Sequence, residues 1–104
     1  GIGVHPVAFV VDGLGDAGGT LALTLTAALR DAGIATDRAY GGRGLKGQWK
    51  AADRSGARFG VMLGRAEVER DAVAVKDLAS GEQVEVPRDH LVAWIQQRLE
   101  ESAT

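Results

Sequence analysis

Apolar positions come in two periods along this chain. Val7–Val11 is an unbroken apolar run, which suits a strand covered on both faces. Leu21, Leu25, Ala28, Leu29 and Ala32 recur at helical spacing, predicting a helix over Thr20–Ala32 that stops at Gly33. Ile34–Ala39 is half polar and reads as a second strand. A second helix is expected over Leu45–Ser55, closed by Gly56, and a third strand over Arg58–Leu63. Gly64–Asp71 is polar and reads as a connection with one helical turn. Ala72–Leu78 and Glu82–Val86 alternate around Ala79-Ser80-Gly81, the pattern of a hairpin. Pro87 suits the first turn of a last helix, whose stripe is Leu91, Val92, Ile95 and Leu99. The order βαβαβ followed by ββα calls for parallel strands with right-handed helical crossovers and an added antiparallel hairpin. The expected fold class is therefore α/β.

Size and composition narrow the possibilities. With 104 residues the chain forms one domain, with room for a core but not for separate catalytic and recognition modules. Hydrophobic residues at 45% and charged residues at 25% are ordinary for a globular protein. The absence of cysteine excludes disulfide and thiolate chemistry and fits a reducing compartment. No apolar run approaches the roughly 20 residues of a membrane helix, and no signal peptide is visible. Residues 1–6 read as the remnant of a linker, residues 7–104 as the domain proper, and the opening Gly1 suggests a piece of a longer protein.

Charge singles out one stretch. Residues 41–58 hold five basic residues and one acid, a local +4, whereas residues 1–40 carry −2 and residues 59–104 carry −4. At about 100° per residue, Leu45, Trp49 and Ala52 fall on one side of the second helix. Arg43 at its entry, Lys46, Lys50 and Arg54 fall on the other. Such a stripe is either a solvated face or a surface for an anion, with nucleic acid the leading candidate.

Other chemistry is thin. Gly13-Leu14-Gly15-Asp16-Ala17-Gly18 satisfies GxGxxG after a strand and before a helix, and Asp37 stands 19 residues past Gly18. That is the outline of a dinucleotide fingerprint. Against it, Asp12 and Asp16 place negative charge where pyrophosphate would sit, and no second half exists for the other nucleotide. His5 and His90 are not spaced as metal ligands. Ser55, Ser80 and Ser102 lie at turns or the terminus without a neighbouring base. Glu67, Glu69 and Asp71 form an acidic cluster in a polar loop. Trp49, Trp94, Phe9 and Phe59 read as core, while Tyr40 is the aromatic placed where a base could reach it.

Three blocks resemble a known family. GGRGLKGQWKAADRSGAR is similar to a glycine–basic–Lys-x-Gln…Ala-Asp-x-x-Gly-Ala run, VMLGRAEVERDAVAVKDL to a strand, Gly-x-x-Glu turn and Val-Lys-Asp-Leu strand, and SGEQVEVP to a hairpin return. Together they resemble the C-terminal anticodon-binding domain of the class II histidyl-tRNA synthetases, over about residues 6–100. Gly47 departs from the pattern where many members carry a second lysine.

The resemblance implies a three-layer α/β/α domain with a mixed five-stranded sheet and three helices. It implies no catalytic residues and no cofactor or metal in this domain, with ATP and Mg belonging to the catalytic domain of a parent histidine–tRNA ligase. The implied partners are tRNA, as the histidine isoacceptor, and that catalytic domain in a homodimeric cytoplasmic parent, with no membrane. Arg43, Lys46 and Lys50 are the expected phosphate contacts, and Gln48, Glu67, Lys76 and Asp77 the expected base-reading groups; Arg54 and Arg58 are expected to be structural or peripheral. Two alternatives stay open: a nucleotide-binding module on Gly13–Gly18, and an accessory or protein-interaction domain of the same fold.

Overall fold

The computed structural model describes residues 5–14, 19–39 and 44–103. Five strands form one sheet: β1 (Ala8–Asp12), β2 (Thr36–Arg38), β3 (Phe59–Leu63), β4 (Ala72–Asp77) and β5 (Gln83–Pro87). Their spatial order is β2-β1-β3-β4-β5. β1 runs parallel to β2 and β3, with Ala8 beside Thr36 and Phe59. β3–β4 and β4–β5 are antiparallel, so the sheet is mixed. The helices are α1 (Gly19–Asp31), α2 (Leu45–Ser55), α3 (Arg65–Glu69) and α4 (Leu91–Ala103).

The period-2 alternation of the strands sorts the core into two layers. Val10, Val61, Val73 and Val75 face α1 and α4 and pack with Leu25, Leu29, Leu91 and Ile95. Phe9 and Val11 face the other way, onto Ala52 and Trp49 of α2. The result is the expected α/β/α arrangement, with α2 alone on its side of β1 and β3.

Two expectations are corrected. The helical turn expected in the polar stretch after β3 stands as a separate helix, α3, which makes four α-helices rather than three among the described residues; Val68 supplies the apolar contact that holds it on the core. Pro87 ends edge strand β5, where no partner needs its missing N–H, and α4 starts only after a 3₁₀ turn at Arg88–His90. The stop at Gly33 is as read: its φ is +83°, and the Ile34 amide closes back on the Leu29 carbonyl at 3.0 Å.

Gly60 shows what fixes α2 in place. The Trp49 ring lies so close over β3 that a Cβ on Gly60 would meet Cζ3 at 2.5 Å. Gly60→Ala must move either the indole or the strand, and is expected to destabilise the fold by about 1–3 kcal/mol. A urea midpoint that stays at the wild-type value would show that α2 shifts freely over the sheet.

Candidate nucleic-acid interface

α2 is amphipathic in a strict sense. Gln48 and Ala52 are buried beneath it, Trp49 and Ala51 are half-buried, and Lys46, Lys50 and Arg54 are exposed. The three cations stand four residues apart, which stacks them on one stripe along the helix. None of them is in an ion pair among the described residues, although Asp53 shares the helix. The stripe therefore presents its charge to solvent. Arg54 belongs to it by position, since the same four-residue step that separates Lys46 from Lys50 separates Lys50 from Arg54.

The N-terminal end of α2 meets the carboxyl ends of β1 and β3. A Cβ on Gly13, just past β1, would contact the Leu63 carbonyl at 2.9 Å and Leu45 of α2 at 3.6 Å. Gly64 follows β3, and the Glu67 carboxylate folds back over it, 3.0 Å from where a Cβ would stand. The tips of β1 and β3 thus lie side by side against the first turn of α2, and the chain leaves both of them for helices, α1 and α3, on the face away from α2. Glu67 is thus a half-buried acid at these strand tips, beside the end of the helix that carries Lys46.

The family comparison decides what kind of domain this is. The anticodon binding domain family matches residues 8–98. The chain belongs to that family. Among curated relatives it is 48% identical over 87 residues to a histidine–tRNA ligase of Saccharopolyspora erythraea, covering 84% of this chain and 21% of that one. It is 57% identical over 72 residues to the Corynebacterium diphtheriae histidine–tRNA ligase, covering 69% of this chain and 17% of the relative. A crystal structure of histidyl-tRNA synthetase from S. aureus superposes with a TM-score of 0.81 at 36% identity, over 88% of this chain and 23% of that one. This anticodon-binding domain spans about a fifth of the length of the relatives it matches.

Within the anticodon-binding domain the other expected site residues fall into different places. Gln48 is only 7% exposed, and its amide is spent on the Asp12 backbone. Lys76 lies on the α2 face, its Nζ 5.3 Å from the centre of the Trp49 ring, a cation–π contact. Asp77, the next residue, points to the opposite face, and its carboxylate accepts from the Ala79 and Ser80 amides to shape the hairpin turn. β4 runs against β3, pairing Gly60 with Lys76, so Lys76 stands at the far end of the sheet from Glu67. The separation along the strand is roughly 13 Å at about 3.3 Å per residue. Arg43 and Tyr40 lie outside the described residues, as do Gly15–Gly18 of the GxGxxG stretch. At its near end the Asp12 carboxylate already accepts from the Leu14 amide at 2.9 Å.

Acids elsewhere on this side are partly neutralised. Glu85 of β5 pairs with Arg70, which follows α3, and that hydrogen bond holds the Glu85 carboxyl below its ordinary pKa. The pair is exposed and contributes little to stability. It does remove one negative charge from the side of the sheet that Lys76 shares.

Proposed function

We propose that the domain binds the anticodon stem-loop of the histidine tRNA and so positions it for aminoacylation by a catalytic domain in a longer parent chain. In this reading the parent is an ATP-dependent histidine–tRNA ligase acting as a homodimer in the cytoplasm, and ATP and Mg serve its catalytic domain. The observation that carries the reading is the stripe of Lys46, Lys50 and Arg54, solvent-facing and without acid partners among the described residues. Its similarity to histidine–tRNA ligases supports the choice of RNA over other anions.

The roles divide by chemistry. Lys46 and Lys50, extended by Arg43 and Arg54, take backbone phosphates and set the register without reading sequence. Glu67 repels phosphate but accepts hydrogen bonds from base amino and imino groups, as recognition of an unstacked guanine requires. Lys76, parked on Trp49, reaches the strand that leaves the loop across the sheet face. Gln48 and Asp77 hold the frame.

The test is titration of the chain with the histidine-tRNA anticodon stem-loop and with a scrambled-loop hairpin at two salt concentrations. Selective binding that weakens with salt is expected; salt-insensitive behaviour with no preference for RNA would refute the reading. Glu67→Ala is expected to narrow the gap between the two hairpins by about 1–3 kcal/mol while leaving the salt slope alone. Unchanged discrimination would remove Glu67 from the reading groups.

A further inference from the structure

In β1, successive residues turn their backbone N–H and C=O alternately to the two neighbouring strands. The Ala8 amide donates to Ala35 on the β2 side at 3.1 Å, and the Gly13 amide donates to Leu63 on the β3 side at 2.9 Å. By that alternation Ala8, Val10 and Asp12 face β2, while Phe9, Val11 and Gly13 face β3. Among the described residues the ladder with β2 ends at Val10 opposite Arg38, one step short of Asp12.

Gln48 completes it. Its Oε1 accepts from the Asp12 amide at 2.7 Å, and its Nε2 donates to the Asp12 carbonyl at 2.8 Å. A primary carboxamide offers the donor–acceptor pair of a peptide group; glutamate keeps the acceptor but loses the donor. The first turn of α2 has little else of its own. Gly44 at the N-cap makes no side-chain cap bond, no acid stands in the first turn, and Leu45 is 45% exposed.

We propose that Gln48 is a positioning residue for RNA recognition. Its amide takes the place of a continuing β2 and fastens the first turn of α2 to the tip of β1, which sets Lys46 and Lys50 at a fixed distance from Glu67. The inference rests on the proposed reading of α2 as the RNA-binding helix.

Gln48→Met, equal in length and unable to hydrogen-bond as an amide does, tests it in the same chain. Three quantities are measured: the thermal midpoint, hydrogen exchange of the Asp12 amide, and affinity for the histidine-tRNA anticodon stem-loop against the scrambled-loop hairpin. Exchange at Asp12 is expected to quicken by roughly tenfold or more, in line with one lost hydrogen bond. Discrimination between hairpins is expected to fall by a similar factor, with the salt slope kept because the lysines remain. If the methionine variant unfolds, Gln48→Glu carries the same comparison, with Asp12 exchange near wild type and discrimination still reduced. A lower midpoint with undiminished discrimination in the folded variant would overturn the positioning role. Failure of the wild-type chain to prefer the stem-loop at all would instead bring down the RNA reading, and this inference with it.

Discussion

Phe59→Ala is expected to cost about 3–5 kcal/mol of folding stability, the largest effect of any single truncation in this domain. Phe59 opens β3 and is the largest of the fully buried side chains among the described residues, 1% exposed. Its ring meets Trp94 of α4 edge-on, with centroids 5.5 Å apart and planes at 72°, and the Arg58 guanidinium sits 4.8 Å from the ring centre. Aromatic pairs of this geometry add about 0.5–1.5 kcal/mol beyond area burial. Domains of this size hold only about 5–15 kcal/mol in all, so a large share of the stability depends on this ring. Urea denaturation should show a lowered midpoint with an unchanged slope. A loss below about 1 kcal/mol would mean that Trp94 collapses into the vacated space and that the α4 layer is not held as described. The ring lies on the face away from α2, so RNA affinity under folding conditions should stay at the wild-type value.

The elements whose limits are legible in the sequence are those bounded by glycine. α2 runs from Leu45 to Ser55 as read, because Gly44 precedes it and Gly56, at φ +78°, follows in the left-handed region that ends helices. Apolar runs locate β1 and β3, since strands covered on both faces leave no room for polar positions. α3 is little more than the single turn expected of its polar stretch, and its standing as a separate helix is not legible because five residues with one core contact, Val68, carry no periodic signal. Pro87 misleads because a proline before a helix fits N1 as well as it fits the end of an edge strand.

The candidate site is legible only where a side chain acts through exposure. Lys46, Lys50 and Arg54 are spaced on a helix, and spacing alone puts them on one stripe. Gln48 sits between them in sequence with nothing to mark it as buried; its role depends on where β2 stops relative to β1, a tertiary fact. Lys76 and Asp77 are neighbours in sequence, yet strand alternation sends them to opposite faces. The acid becomes part of a turn, and the lysine is drawn to Trp49 from another element.

Charge reversal of both lysines, Lys46→Glu with Lys50→Glu, is expected to weaken binding of the anticodon stem-loop by about 100-fold at low salt. Two contact attractions, each on the order of 1 kcal/mol at 4 Å in water, become two repulsions, and screening reduces the total to roughly 3 kcal/mol. Loss of two phosphate contacts should also lower the slope of log affinity against log salt by about 1.4–1.8. The fold should hardly notice. Both side chains are exposed, and an acid in the first turn of α2 favours the helix dipole, offsetting the repulsion between Asp53 and the new carboxylate three residues before it. The scrambled-loop hairpin should lose affinity by the same factor, since phosphate contacts position without reading bases. That parallel loss separates the two lysines from Glu67, whose removal is expected to act on one hairpin and not the other. Affinity within about twofold of wild type, with an unaltered salt slope, would place the RNA somewhere other than α2.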